Sequence, residues 1–579
     1  MANKIDEKAI ETWIAGEVDA DDRQTLTDML AAAKSGDEAA ATELADAFSG
    51  ELTFGTAGLR GRLGAGPNRM NRSVVVRAAA GLCAYLAETV GPDFEIVVGY
   101  DARYGSAQFA KDTCAVATAM GGRALLLPRA LPTPVTAYAL KYMGSDAAVM
   151  VTASHNPPKD NGYKVYLGGR AVSGSGQGAQ IVPPADKEIY AKIQAAPAAN
   201  QIPLAEDGWR VLGEDIVESY IAQAVSLAAP GPKDLKIVLT SMHGVGGEPA
   251  MAALHQAGFT QVEVVPEQHE PDPDFPTVSF PNPEEPGALD LALALAAKTD
   301  ADLVLANDPD ADRCSAAIKD VDNPGQWRQL TGDEIGSLLG WQAAEFYAEN
   351  AAQAKEDDLH PFAPAAVGTL ACSIVSSRLL SQIAKSHDMN FAATLTGFKW
   401  ISRAENLVFG YEEAIGFCVD PSHVRDKDGI SACLRLASLA QVLKREGRTL
   451  QDLLDDLARE HGLYATAPLS IRVEDLSLIA KGMKNLRENG PKTLAGSKVV
   501  EYFDLVNGYQ GLPGTDGLLF RTEDNDRVIA RPSGTEPKLK CYLEVVMPVK
   551  ADDDLSQVRK AGAARLDQIK QDMRSALGI

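Results

Sequence analysis

The sequence predicts an α/β protein: three repeated α/β domains with mixed sheets, followed by a smaller α+β C-terminal domain. Three observations carry this prediction. Short apolar runs such as FEIVVGYD (94–101), ALLLP (124–128) and AAVMVTAS (147–154) are separated by apolar-periodic stretches long enough for helices. The same alternation returns between LKIVLTSMHG (235–244) and ADLVLANDPD (301–310), and a third time from TGDEIG (331–336) through AAVGTLACSI and TLTGFKW. Beyond residue 460 the strand signals shorten and crowd, as in SKVVEYFDL, GLLFRTED, DRVIARPSG and LKCYLEVVM, which marks a different, α+β unit.

Taken in order, residues 5–48 carry helical spacing through Trp13, Leu26, Leu30 and Leu44, so 1–45 is expected to be a helical N-terminal extension. Domains are expected over 46–210, 211–325, 326–460 and 461–579. In the second, GGEPAMAALHQAG and LDLALALAAKTD read as helices around the strand VEVVPE. The turn-rich HEPDPDFPTVSFPNPEEPG (269–287) reads as an exposed loop. In the third, TGDEIG looks like a helix start with Asp333 as its local cap.

At 579 residues the chain exceeds what one core supports, and 45% hydrophobic with 23% charged residues is ordinary globular composition. Seventy-nine acidic against 55 basic residues, a net charge of −24, disfavour nucleic acid or an anionic membrane as partner. The seven cysteines form no CxxC pair and sit in apolar stretches, as expected of reduced, buried thiols. No apolar h-region opens the chain and no uninterrupted apolar run reaches a membrane span, so a cytoplasmic location is expected.

Four loops carry chemistry. In TASHNPPKDNGYK, Ser154 and His155 follow a buried strand, where open α/β sheets place functional groups, and Lys164 follows two tight turns. A serine there is a nucleophile, a phosphate carrier or a helix cap. In NDPDADR, Asp308, Asp310 and Asp312 crowd three carboxylates that need a cation or basic partner, and an all-oxygen set suits a hard ion such as Mg2+. A calcium loop fails because Arg313 and Lys319 stand where glycine and glutamate are required. In ARPSGTEPKLK, Arg531, Ser533, Gly534, Thr535 and Lys540 offer a guanidinium, hydroxyls, amides and an ammonium fit to hold a phosphate. In FGYEEAIGF, Glu412 and Glu413 can accept hydrogen bonds from sugar hydroxyls, or form an ordinary acidic turn. Lys399 and Arg60 add basic groups in TLTGFKW and TAGLRGRLG.

Together FGTAGLRG, TASHNPPKDNGYK, NDPDADR, GYEEAIGF and RPSGTEPK, in this order from residue 54 to 538, resemble the α-D-phosphohexomutases, the phosphoglucomutase and phosphomannomutase family, with LTGDEIGSLLGW and TLTGFKW closest to its phosphoglucomutase-2 branch. The resemblance implies four domains around a central cleft, supplying in turn a phosphoserine, a metal site, sugar recognition and phosphate binding. It implies Ser154 as phosphoryl carrier, a metal held by Ser154, Asp308, Asp310 and Asp312, and Arg60, Lys164, His155 and Lys399 as further catalytic-centre groups. Arg313 would support the metal site, Glu412 and Glu413 would meet the sugar, and Arg531, Ser533, Gly534, Thr535 and Lys540 would clamp the distal phosphate. Mg2+ and glucose 1,6-bisphosphate are the implied cofactor and activator, sugar monophosphates the substrates, and a monomer or homodimer the assembly. The leading expectation is interconversion of glucose 1-phosphate and glucose 6-phosphate. A phosphopentomutase, a phosphomannomutase or a glucose-1,6-bisphosphate synthase is the alternative. Ala414 and Gly416 depart from the serine and histidine found there in many relatives, which leaves hexose specificity open.

Overall fold

The computed structural model describes residues 6–55, 58–356, 367–473, 477–532 and 538–578. Four domains are present, three similar α/β domains and a smaller α+β domain at the C-terminus. By internal packing they fall into two compact units, residues 1–317 with 416–438, and residues 318–415 with 439–579.

The first unit opens with three helices, Glu7–Gly16, Ala20–Lys34 and Glu38–Ala47, each N-capped by an aspartate side chain. Ile10, Leu26, Leu30 and Leu44 close a small core among them. The following sheet has the strand order Leu59–Arg62, Asp160–Leu167, Ala147–Val151, Glu95–Tyr100, Arg123–Leu126, Arg210–Val211. Its centre is parallel, and Asp160–Leu167 and Leu59–Arg62 add antiparallel neighbours, giving the expected mixed sheet. Ala147–Val151 is buried at every position because helices cover both faces, so it lacks the alternation of a half-exposed strand. The helix Arg72–Val90 is long and apolar enough to cross a membrane, with a mean hydropathy of 1.4, although Arg77 and Glu88 interrupt it; 61% of that stretch is buried inside the protein.

The second sheet runs Ser315–Lys319, Leu303–Ala306, Ile237–Thr240, Val262–Val264, the last three parallel. Residues 270–287 form the turn-rich, largely exposed loop expected of them, anchored to the unit at a few positions. Phe275, Val278 and Asn282 are buried, and the Arg103 guanidinium lies 4.9 Å from the centre of the Phe275 ring. The segment 416–438 packs in this unit through Tyr166 and Gln180, which donate to Asp426, and through Tyr220, which donates to Asp428.

In the second unit Asn390–Thr394, Thr369–Ser373 and Leu407–Glu412 form a parallel sheet. Here Asp333 is not the cap of helix Gly332–Glu356. Thr331 and Glu334 close the helix start reciprocally, whereas Asp333 is buried and accepts from the Ser377 amide and the Tyr411 hydroxyl. The C-terminal sheet is antiparallel, in the order Leu463–Arg472, Lys538–Met547, Arg527–Pro532, Leu518–Thr522, Ser497–Asp504, Thr493–Leu494. The helices Ser477–Asn489 and Leu555–Leu577 bury one of its faces, through Val528, Ala530, Cys541, Leu543 and Ile569.

Candidate active site

Ser154 stands just past the C-terminal end of the strand Ala147–Val151, with φ at +53°, a left-handed conformation that a serine adopts only when its surroundings hold it there. The holders are identifiable. Its amide donates to the Thr152 hydroxyl, and Arg103 reaches under the loop to donate to the carbonyls of Ser154, Asn156, Pro157 and Asp160 at 2.6 to 3.2 Å. Arg103 is in turn fixed by Asp101, 3.3 Å from its Nε. Four residues of loop are thereby tied to one guanidinium.

Across from it, the loop after Leu303–Ala306 carries the aspartates, turned by Ala311 at φ +51°. The Ser154 hydroxyl donates to Asp308 Oδ2 at 3.0 Å. Lys164 donates to Asp310 and Asp312 at 2.7 and 2.8 Å, and Thr133 donates to Asp310 at 2.6 Å. Carboxylate oxygens of Asp308, Asp310 and Asp312 lie within 4.8 Å of one another, and all three residues are fully buried. Asp310 Oδ1 and Asp312 Oδ1 are buried without a hydrogen-bond partner. Two orphaned anionic oxygens in a buried all-carboxylate cluster are the donor set a hard divalent cation takes.

Charge explains the remaining residues. Burial, then the neighbouring Asp310 and Asp312, push the Asp308 carboxyl well above its usual range. Burial acts the same way on Asp312, but Lys164, Lys427 and Arg313 outweigh it and hold that carboxyl below its usual range. Lys164 loses by burial and gains more from Asp310 and Asp312, so its ammonium is held charged. Burial lowers the Arg60 guanidinium, which donates to Asn156 at 3.2 Å. His155 Nδ1 lies 3.2 Å from Ser154 Oγ, and burial together with Arg313 and Arg60 keeps the ring neutral. Arg313 approaches Asp312 at 3.7 Å and Asp308 at 3.9 Å.

Ser154, His155, Arg60, Lys164, Arg313 and the three aspartates are thus one cluster in the first unit. Arg60 arrives because Leu59–Arg62 pairs with Asp160–Leu167, which needs Gly58 at φ +73°: a Cβ there would sit 1.8 Å from the Tyr163 carbonyl oxygen. In the second unit, Glu412 ends the strand Leu407–Glu412, and the Glu413 carboxylate accepts from Ser373 and Ser376 at 3.0 and 3.3 Å. Lys399 lies on the short helix Phe398–Ile401, just after Thr396, whose hydroxyl Arg531 contacts. Arg531 and Lys540 are direct cross-strand partners. Ser533, Gly534 and Thr535 fall outside the described residues.

Two groups escaped the sequence reading. Arg103, in DARYG, had a usable signal, a charged pair at the end of the strand Glu95–Tyr100, the same sheet edge as Ser154. Lys427, buried and 3.3 Å from Asp312, sits in the charge-dense RDKDG, more than 100 positions from the triad, and no local pattern pairs them. Gly429 lets that segment in: a Cβ would lie 2.1 Å from the Arg313 carbonyl oxygen.

A strained buried serine against an acidic cluster, on the strand ends of consecutive α/β domains, is an arrangement suited to phosphoryl transfer, and the cluster's oxygens suit a divalent cation. The chain belongs to the phosphoglucomutase/phosphomannomutase family, the α-D-phosphohexomutases. The family's α/β/α domains I, II and III match residues 51–200, 218–323 and 332–461, and its C-terminal domain matches 478–561. A Haemophilus influenzae protein named "Probable phosphomannomutase" is 48% identical over 82% of this chain and 93% of its own length. The human phosphopentomutase is 34% identical over 90% of this chain and 88% of its own. The fold is that of parafusin, a Paramecium phosphoglucomutase, in its open form, with a TM-score of 0.64 at 18% identity over 92% of this chain and 96% of that one.

Proposed function

We propose that the chain is a phosphoserine-dependent mutase that moves the phosphoryl group of α-D-sugar phosphates between C1 and the terminal hydroxyl, with a specificity that extends beyond glucose to mannose and ribose phosphates. The observation that carries the reading is the Ser154 hydroxyl at 3.0 Å from Asp308, in a loop held by Arg103. Ser154 Oγ carries the phosphoryl group, gives it to the free hydroxyl of a sugar monophosphate, and recovers the other phosphate after the bisphosphate reorients. Asp308, Asp310 and Asp312 would hold Mg2+, which when bound offsets charge on the phosphoryl oxygens. Lys164 donates hydrogen bonds at the same centre, and Asp308 Oδ2 accepts a hydrogen bond from the free serine. Glu412 takes sugar hydroxyls, and Arg531 with Lys540 and the 533–535 segment clamps the nonreacting phosphate, so remote binding orients the reacting hydroxyl.

Ala414 supports the broad specificity, since it lacks the hydroxyl that many relatives place beside the sugar, and so do the names of the relatives, a phosphomannomutase and a phosphopentomutase. Glucose 1,6-bisphosphate is the priming activator, because an unphosphorylated serine has nothing to donate. The test compares kcat/KM for glucose 1-phosphate, mannose 1-phosphate and ribose 1-phosphate with Mg2+ and catalytic bisphosphate present. Values within about tenfold of one another are expected, since with alanine at 414 a sugar lacking the matching group leaves no protein hydroxyl unpaired there. A preference of about a thousandfold for glucose 1-phosphate would replace broad specificity with a strict phosphoglucomutase. Mass spectrometry after priming should find phosphate on Ser154 and none on S154A.

A further inference from the structure

One face of the C-terminal sheet presents three cross-strand pairs in a row, Arg527 with Glu544, Ile529 with Tyr542, and Arg531 with Lys540. The last pair belongs to the phosphate clamp. The first pair does something else. Glu544, fully buried, accepts from the Ser377 hydroxyl at 2.9 Å, from the Arg378 amide at 2.7 Å and from the Arg378 guanidinium. Burial would raise its carboxyl, but Arg527 and Arg378 hold it below the usual range. Arg527 donates to the carbonyls of Ile374 and Ser376 at 3.0 and 2.6 Å. Between the two ends, Ile529 packs on Ile374 and Val375. The segment Ser373–Arg378 is therefore gripped by the sheet from both charged groups of one pair. Two of its hydroxyls point the other way: Ser373 and Ser376 donate to Glu413, and Ser376 Oγ also accepts from the Glu413 amide at 3.1 Å.

We infer that Ser376 and Glu544 are positioning residues for sugar recognition: the segment Ser373–Arg378 fixes the Glu412–Glu413 loop relative to the sheet that carries Arg531 and Lys540. The spacing between the sugar carboxylate and the phosphate clamp is then set by this segment, and Glu413 acts through it, not by touching the sugar. The inference rests on the sugar-recognition role proposed for Glu412. Because both residues act along one chain of contacts, their effects do not add.

The experiment is steady-state kinetics on S376A, S376T, E544Q and the double variant S376A/E544Q, using the sugar 1-phosphate that the wild type turns over fastest. Expected are a KM raised about tenfold by S376A and by E544Q with kcat within about threefold, because ground-state and transition-state binding of the sugar suffer alike. S376T restores KM to within about threefold, and the double variant is no worse than the weaker single one. Unchanged KM in S376A, or an about hundredfold increase in the double variant, would overturn the inference. Should E544Q not fold, S373A takes its place in the cycle. A wild type inactive on every sugar 1-phosphate would count against the mutase reading; the same comparison is then made by calorimetric titration with glucose 6-phosphate and inorganic phosphate, where S376A should weaken only the sugar phosphate.

Discussion

Arg103 shows how much of this site depends on a group that never meets the reacting atoms. Four carbonyl contacts from one planar fork hold Ser154 in a conformation unfavourable to it, and a lysine has neither the fork nor the reach to replace them. Arg103→Lys keeps the buried charge beside Asp101 and loses the geometry. It is expected to lower kcat about a hundredfold with KM changed little, as follows from misplacing a nucleophile by a fraction of an ångström to one ångström. Activity within twofold of wild type would mean that Thr152 and the turn hold the loop without it. At this scale the sequence was informative where chemistry is local. Ser154 and the aspartates at alternate positions announce themselves by residue type and by strand-end placement. Arg103 gives only the weak signal of its strand-end position and Lys427 none, since a basic side chain is usually a solvated surface charge, and the fold reveals that these two are buried against anions.

At the scale of elements the sequence marked strand and helix positions well, because period and length differ sharply between them, while buried polar brackets and the packing of the 269–287 loop were invisible to it. Asp333 is the instructive case. TGDE reads as a cap, and Thr331 with Glu334 provides one, but the aspartate between them turns inward, where burial pushes its carboxyl up to about 6 despite hydrogen bonds from Ser377 and Tyr411. A carboxyl raised in the folded state from 3.8 to about 6 favours folding when protonated. Its contribution is present at low pH and is lost as pH rises from about 4 through about 6, by up to about 3 kcal/mol. Asp333→Asn keeps an acceptor oxygen for both donors and removes the titration. Relative to wild type, the variant should therefore gain urea resistance between about pH 4.5 and pH 8. An offset between the two proteins that is the same at both pH values would show that Asp333 does not titrate in that window.

For the molecule as a whole, four domains were legible because α/β alternation repeats and then stops, whereas the return of residues 416–438 to the first unit was not, since it depends on Tyr166, Gln180 and Tyr220 being placed to receive Asp426 and Asp428. That return also delivers Lys427 to the aspartate cluster, so the cluster is assembled from stretches far apart in the chain, among them 154–164, 308–313 and 427. A cation bound there stabilises the folded first unit against an unfolded chain in which the stretches are far apart. At a hundredfold excess of Mg2+ over its Kd the gain is about 2.7 kcal/mol, which for a unit of this size raises the calorimetric midpoint by about 2 to 4 °C. Asp310→Asn removes one of the two orphaned anionic ligands and should leave the midpoint unmoved by Mg2+ at the same concentration. A wild type whose midpoint is equally indifferent to Mg2+ and to a chelator would mean that Lys164 and Lys427 already satisfy the three carboxylates, and that the cluster is a closed ion network rather than a metal site.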